Sequence, residues 1–345
     1  MKTQVEPHPV HETLDSELQL RIHELMVKTR TAEERCIQMF KTADGWFWIG
    51  APGEEAFGVP LGLQVKKGEG LDHDYLHLHY RSSPILLAMG AEPIDMIRQM
   101  AGKATDPYSQ GRNFVNHFAI KKWNVVPMSP VIEVQYSIAT GTALAQKRHG
   151  GDGITIVNGG DAGTHEGDFA TCMIWSTRPK QELPVLILVM NNGYGISTAC
   201  GTQHGTKTIA DRAKPFGIPT RVIDGNDVFT SWSTIAEAMA YVRKERRPFL
   251  IEARVSRLFG HSSASGANRV KEDDPIARFE EKLLEQDLAS RGELDLVWTR
   301  YREEMSDLLQ QVRNEPNPSP EDVERHVFHE PPSSHETKSS SAGGR

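Results

Sequence analysis

Cysteine is scarce in this sequence, and long apolar runs are missing from it. The three cysteines, Cys36, Cys172 and Cys200, lie far apart, which excludes a disulfide framework and the close cysteine pairs of a structural zinc site. No stretch approaches the roughly 18 apolar residues that span a bilayer, and the polar N-terminal segment lacks the apolar core of a signal peptide. These absences predict a protein of a reducing compartment, placed in the cytoplasm without membrane association.

An excess of basic residues is also absent. The formal net charge is −7, and the basic residues are mixed with acids throughout the chain. A nucleic-acid-binding protein would carry a basic face, so we predict no nucleic-acid partner. The phosphate-binding fingerprints G-x-G-x-x-G and G-x-x-x-x-G-K-[ST] are both missing, which counts against a nucleotide-binding module.

Short apolar runs alternate with helical stretches in the middle of the chain. Strands are predicted over residues 154–160, 184–192 and 249–255 and in TRVIDG, with helices over residues 166–176 and 232–244. The run PVLILVMNN has no polar alternation, which is typical of a strand buried on both faces. The alternation predicts an α/β fold with a doubly wound, mostly parallel sheet flanked by helices.

The ends of the chain differ from this middle part. Residues 1–13 are predicted to be a flexible arm, and the low-complexity residues 330–345 a disordered tail. Between them, residues 14–329 are predicted to form one α/β domain with a C-terminal helical extension. Its first helix is predicted from about residue 14 to 41, and the charged residues 274–313 are predicted to be helical.

Oxygen-bearing side chains follow two of the predicted strands. Asp161 follows the first of these strands, and Asn191 and Asn192 end the next. In open parallel α/β sheets, ligands bind beyond the carboxyl ends of the strands. One carboxylate and one amide are too few for a bare cation, but they suit Mg²⁺ that phosphate oxygens also hold. The sequence therefore predicts a metal–diphosphate site; in the alternative, Asp161 caps a helix and the Asn pair forms a turn.

Several segments, in order, resemble one enzyme family. NGGDAGTHEGDF and VLILVMNNGYGIST resemble the thiamine-diphosphate signature of α subunits of the E1 component of 2-oxoacid dehydrogenases, above all the branched-chain members. The resemblance covers about residues 14–290 and implies the thiamine-diphosphate-binding fold. Further matching segments are LHYRSSPILLAMG, QMAGKATDPYSQGRNFVNHFA, FGIPTRVIDGNDVF, FGHSSAS and DDPIARFEEKL.

This resemblance implies roles for individual residues. Asp161, the side chain of Asn192 and the backbone carbonyl of Tyr194 would bind Mg²⁺. His261 would lie near the reacting carbonyl, and His117 is a second candidate catalytic histidine. The cofactor would be contacted by Tyr80, Arg81, Ser129, Val131, Gly160, Asp161, Ala162, Gly163, Asn192 and His261.

The sequence departs from the family pattern at two places. SPVIEVQYSIATG is one residue longer than its counterpart, so Ile132 is an alternative to Val131 as a cofactor contact. After His261, Ser265 and Gly266 stand where the family has an Asp pair.

The resemblance implies an E1 α subunit that binds thiamine diphosphate and magnesium. With a β subunit, in an α2β2 heterotetramer, it would decarboxylate a branched-chain 2-oxoacid and reductively acylate the lipoyl group of an E2 acyltransferase. The β subunit would supply the glutamate that activates the cofactor. Ser262 matches a position that is phosphorylated in mitochondrial members, and we interpret it as a pocket hydroxyl.

Two alternatives stay open at this stage. In the first alternative, the chain is a pyruvate or acetoin dehydrogenase E1 α subunit. In the second, it is a non-catalytic subunit that only assembles a complex. Retention of Asp161, Asn192, Arg81 and His261 argues against the second alternative, whereas loss of the Asp pair after His261 favours it.

Overall fold

The computed structural model describes residues 14–325 and residue 327. The predicted arm (1–13) and tail (330–345) lie outside the described residues, and the single-domain extent of 14–329 stays a prediction. Among the helices in the described part, none is long and apolar enough to cross a membrane.

Helices and strands alternate along the described chain. The α-helices are α1 (Ser16–Lys41), α2 (Glu55–Gln64), α3 (Ser83–Met89), α4 (Pro93–Met100), α5 (Val134–Arg148), α6 (Gly167–Ser176), α7 (Val228–Glu245), α8 (Pro275–Glu285) and α9 (Arg291–Arg313). The strands are β1 (Tyr75–His77), β2 (Thr155–Gly160), β3 (Val185–Asn191), β4 (Tyr194–Gly195), β5 (Thr198–Ala199), β6 (Thr220–Asp224) and β7 (Phe249–Arg254).

Five of these strands form one parallel sheet in the order β1-β2-β3-β7-β6. The predicted α/β fold class is confirmed, since this mostly parallel sheet is flanked by helices. β4 and β5 form a separate antiparallel hairpin directly after β3. The hairpin therefore lies at the carboxyl end of a central strand.

The central strand β3 is buried on both faces, as its unbroken apolar run predicts. One set of alternating side chains packs with α5 and α6: Val185, Ile187 and Val189. The other set packs with α7 on the opposite face: Leu186, Leu188 and Met190. Each fully buried side chain of this size contributes about 1.5–3 kcal/mol of transfer free energy, so the two layers fix the strand in place.

Helix boundaries follow local signals in the sequence. α1 begins after Asp15, whose Oδ1 accepts a hydrogen bond from the amide of Leu18 at 2.8 Å.

The single helical stretch predicted over 274–313 is wrong, because the structure divides it into α8 and α9. Asp287 adopts a left-handed φ of 52° there, and Ser290 with Glu293 forms a capping box that begins α9.

A buried ion-pair network joins three helices near the sheet. Arg30 of α1 donates from Nε to Glu55 Oε1 of α2 at 2.6 Å and from Nη2 to Glu55 Oε2 at 2.9 Å. Its Nη1 donates to Oδ2 of Asp274, the N-cap of α8, at 2.8 Å. Arg30 and Glu55 are fully buried, so loss of one partner would leave uncompensated charge in the interior.

We expect Arg30→Met to lower the free energy of unfolding by about 3–5 kcal/mol, because it leaves the fully buried Glu55 without its charged partner, whereas Asp274 keeps Arg269. Urea denaturation followed by circular dichroism measures this change. Arg300→Met is the matched control, since Arg300 pairs with Glu24 at the surface and its loss should cost less than about 1 kcal/mol. Equal effects of the two substitutions would contradict a structural role for the Arg30 network.

Candidate functional site

A cavity of about 430 Å³ opens at the carboxyl end of the sheet. β2 runs into Asp161, β3 runs into Asn192, and the turn after β1 brings Tyr80 and Arg81 to the same edge. The carboxyl ends of parallel strands form the usual ligand crevice of such sheets. The cavity is lined by His79, Tyr80, Arg81, Ile132, Glu133, Gly160, Asp161, Ala162, Gly163, Glu166, Asn192, Tyr194, Gly195, Ile196, Thr198, Gln203 and His261.

Most of the residues predicted for the site share this cavity, although they come from distant parts of the chain. His117, Ser129 and Val131 are not among the lining residues. His117 is buried, with its Nδ1 3.2 Å from the carbonyl oxygen of Val115. Ile132, the alternative to Val131, does line the cavity.

Asp161 places a buried carboxylate at the end of β2. Its Oδ2 has no hydrogen-bond partner among the described residues. Burial raises the pKa of this carboxyl group to about 6. The alternative that Asp161 caps a helix is wrong, since its side chain makes no capping hydrogen bond to the short turn that follows. A buried carboxylate oxygen left without a partner is typical of a cation site.

The Asn pair forms a turn, as the alternative predicted, and one of the two residues, Asn192, also lines the cavity. Asn191 Oδ1 accepts a hydrogen bond from the amide of Gly193 at 3.0 Å, and Asn192 Oδ1 accepts one from Tyr194 at 3.2 Å. An amide oxygen has two lone pairs, so Asn192 keeps one acceptor site for a cation.

Cys200 and His204 also approach Asp161: a thiol, a ring nitrogen and a carboxylate oxygen lie within 4.8 Å of one another. Arg212 Nη2 lies 2.6 Å from His204 Nδ1. Because a guanidinium only donates, this contact makes Nδ1 the acceptor and leaves the proton of the neutral ring on Nε2. Burial and Arg212 lower the pKa of His204 to about 4, so the ring is uncharged at neutral pH.

Arg81 fixes the protonation of His261 in the same way. The guanidinium donates to the carbonyl oxygen of Gly50, and its Nη2 lies 3.1 Å from His261 Nδ1. Nδ1 is therefore the acceptor, and Nε2 carries the proton of the neutral ring. Burial, Arg81 and Arg257 lower the pKa of His261 to about 4. At neutral pH, His261 is an uncharged hydrogen-bond donor through Nε2.

Two buried acids near the site were not predicted from the sequence. Neither carboxylate oxygen of Glu54 has a hydrogen-bond partner among the described residues, and the Nε of Arg81 is 3.8 Å from its Oε1. Glu133 Oε1 accepts a hydrogen bond from the amide of Gly160 at 3.0 Å. Burial raises the pKa of each of these carboxyl groups to about 8. Such strongly perturbed acids are typical of functional sites.

The only signal for these acids in the sequence was indirect. Glu54 lies in the turn before α2, in the segment GAPGEEAFG. Glu133 lies in the segment that is longer by one residue than the family pattern. The sequence around Glu54 and Glu133 does not reveal that these acids are buried, because both belong to loops that other parts of the folded chain cover.

Arg81→Met is expected to raise the pKa of His261 above about 4, because it removes a neighbouring positive charge that disfavours the protonated ring. A pH titration of the ring ¹⁵N and ¹H signals by NMR measures this pKa and shows which nitrogen carries the proton. Arg278→Met, which removes an exposed guanidinium paired with Asp224, is the control. A neutral wild-type ring protonated on Nδ1 would refute the assignment.

Comparison with known proteins identifies relatives along nearly the whole chain. The family model described as "Dehydrogenase E1 component" matches residues 23–321. The chain is 27% identical over 316 residues to the α subunit of 2-oxoisovalerate dehydrogenase from Bacillus subtilis, covering 89% of this chain and 94% of that one. The human mitochondrial α subunit of the same name is 27% identical over 332 residues, with coverage of 92% and 72%.

A relative with a different name is nearly as similar. The α subunit of acetoin:2,6-dichlorophenolindophenol oxidoreductase from Cupriavidus necator is 26% identical over 330 residues, which cover 91% of this chain and 95% of that one.

Proposed function

The chain belongs to the dehydrogenase E1 component family, and on this basis we propose that it is the α subunit of a 2-oxoacid dehydrogenase that acts on a branched-chain 2-oxoacid. The enzyme is an oxidoreductase of the E1 class. The observation that carries the proposal is the cavity at the strand ends, where residues from five separate segments meet. Branched-chain substrates are proposed because relatives named for 2-oxoisovalerate match over most of the chain.

Thiamine diphosphate with Mg²⁺ is the cofactor that we propose for this cavity. The buried Oδ2 of Asp161 has no partner among the described residues, which suits a bound cation. A side chain at Gly160 would meet only the ring of His79, at 4.0 Å, so there is free space beside this part of the backbone. The residues present therefore fit the cofactor. When bound, it supplies the electron sink for decarboxylation of the 2-oxoacid.

The proposed roles follow from the chemistry of each group. Asp161, the Asn192 side chain and the Tyr194 carbonyl would hold Mg²⁺, whose charge would neutralise the diphosphate. Tyr80, Arg81 and the backbone amides of Gly160, Ala162 and Gly163 would contact the diphosphate. Ser129 and Val131 stay proposed contacts of the cofactor.

His261 is proposed to act on the substrate as a hydrogen-bond donor. Arg81 holds its Nδ1 as an acceptor, which leaves the Nε2 proton available at the cavity. A neutral donor aimed at a carbonyl oxygen stabilises the negative charge that develops there. His117 is buried and does not line the cavity, and this burial lowers the pKa of its ring. It remains a second proposed catalytic histidine.

A partner chain is proposed to cover the mouth of the cavity. Three apolar side chains of the lining are exposed: Ile132 by 50%, Tyr194 by 41% and Ile196 by 56%. Val131 beside them is 63% exposed. Contiguous exposed apolar surface around a site marks a protein interface. We assign it to a β subunit in an α2β2 heterotetramer, with a lipoyl-bearing E2 acyltransferase as the acyl acceptor.

The purified chain alone is expected to show no 2-oxoacid decarboxylation with thiamine diphosphate and Mg²⁺, because the glutamate that activates the cofactor belongs to the β subunit. Co-expression with a β subunit should give activity, which release of carbon dioxide from several 2-oxoacids measures. Branched-chain 2-oxoacids are expected to react fastest. Acetoin has no carboxyl group and releases no carbon dioxide, so it is tested separately, by reduction of 2,6-dichlorophenolindophenol, because of the acetoin-named relative. Turnover of a 2-oxoacid by the α chain alone would disprove the half-site assignment.

Asp161→Asn is expected to weaken Mg²⁺-dependent binding of thiamine diphosphate by at least about 100-fold, because even the loss of an indirect metal contact costs 10–100-fold. Isothermal titration calorimetry with and without Mg²⁺ measures the affinity. Asp224→Asn is the matched control: Asp224 also ends a strand of the sheet, but it is exposed and does not line the cavity. Unchanged affinity in Asp161→Asn would exclude Asp161 as a metal ligand.

A further inference from the structure

Glu133 occupies part of the surface that the proposed function gives to the diphosphate. We propose that the carboxyl group of Glu133 competes with the cofactor's diphosphate for the backbone amide of Gly160, so that Glu133 limits the affinity of the site and withdraws when a phosphate binds. This inference rests on the proposed function. It adds to the site a residue that lowers the affinity for the cofactor without binding the cofactor.

The carboxyl group is held in place from two sides. Its Oε1 accepts the hydrogen bond from the amide of Gly160 at 3.0 Å, and its Oε2 accepts one from Gln135 Nε2 at 3.1 Å. Glu133 is 2% exposed, yet it lines the same cavity as Asp161. The amide of Gly160 is therefore already occupied by an acid of the chain itself.

The loop around β2 is shaped to receive this side chain. A Cβ atom at Gly163 would lie 1.9 Å from Oε1 of Glu133, and one at Gly159 would lie 2.0 Å from Oε2. Any side chain at either glycine would collide with the carboxyl group. The absence of side chains at Gly159 and Gly163 thus makes room for the acid that competes with the diphosphate.

The backbone at Glu133 is strained in a way that directs the side chain to this place. Its φ is +63°, in the left-handed region that disfavours a residue with a β-carbon. Glu133 immediately precedes α5, but its side chain makes no capping hydrogen bond to that helix. The carboxyl group instead points to the loop after β2. Strain that persists in a buried position is often tied to function.

A phosphate oxygen and the Glu133 carboxyl group cannot accept the same N–H at once. Two acidic groups in one small cavity also repel each other when both are charged. Binding of a diphosphate to the Gly160 amide therefore requires Glu133 to leave. Substitutions that remove the carboxyl group should strengthen diphosphate binding, in contrast to substitutions of residues that hold the cofactor.

The test uses the full chain with Mg²⁺ and two probes, thiamine diphosphate and inorganic pyrophosphate. Glu133→Ala is expected to bind both probes about tenfold more tightly than the wild type by calorimetry, a gain of about 1.4 kcal/mol. Glu133→Gly is the second variant, because glycine removes the carboxyl group and also accepts the left-handed φ without strain. Glu133→Gln keeps an acceptor for the Gly160 amide, so its affinity should stay near that of the wild type.

Glu166→Ala is the control for charge, since Glu166 lines the cavity but is exposed. It should change affinity by no more than about twofold, because an exposed carboxylate is well screened. The amide NMR signal of Gly160 gives a readout without any ligand, and it should shift in Glu133→Ala but not in Glu166→Ala.

Unchanged or weaker binding by folded Glu133→Ala and Glu133→Gly, with a wild type that binds, would overturn the role of Glu133 alone. Binding by Glu133→Gln as tight as that by Glu133→Ala would overturn competition for the amide. Failure of the wild type and all variants to bind either probe would overturn the proposed function, and this inference with it.

Discussion

The parallel pairing of β2 with β3 is the constraint on which the site depends. The register sets Gly160 opposite Met190, so the chain leaves both strands at the same level. Asp161 and Asn192, about thirty residues apart in sequence, therefore reach one cavity. A slip of one residue would turn every side chain of β3 to the other face, and because both faces are buried, it would disrupt the close packing of both apolar layers.

The same burial determines the electrostatics of the cavity. Three acids near its wall, Glu54, Glu133 and Asp161, have raised pKa values because the fold removes them from water. The histidines respond in the opposite direction: burial and neighbouring arginines keep His204 and His261 neutral. The site thus combines acids that protonate easily with imidazoles that do not, a suitable environment for a cation and a diphosphate brought together.

Local signals were enough to predict much of this structure. The unbroken run from residue 184 to 192 predicted a strand buried on both faces, and the parallel sheet then placed Asp161 and Asn192 together without further information. The cap at Asp15 and the capping box at Ser290 are equally local, although the prediction of one helical stretch over 274–313 did not use the box. These features depend on neighbouring residues, which is why the sequence shows them directly.

What could not be predicted depends on contacts between distant residues. The proton on Nε2 of His261 is set by Arg81, 180 positions away. The position of the Glu133 side chain depends on a left-handed φ and on the start of α5. No side-chain cap in the sequence marks where that helix begins. The break between α8 and α9 likewise comes from a particular backbone conformation, the left-handed φ of Asp287, that apolar periodicity does not record.

The fit of Glu133 against Gly163 links these two positions in evolution. Alanine at Gly163 clashes only with the acid, so it is tolerated only in a chain that has already lost the long side chain at position 133. Replacement of Glu133 by a small residue, in turn, frees Gly163 to vary, whereas a Cβ atom at Gly159 would still lie 2.7 Å from the ring of the buried Tyr136. The order in which such substitutions arise therefore matters. A descendant of this chain can carry the acid at position 133 or a side chain at position 163, but not both.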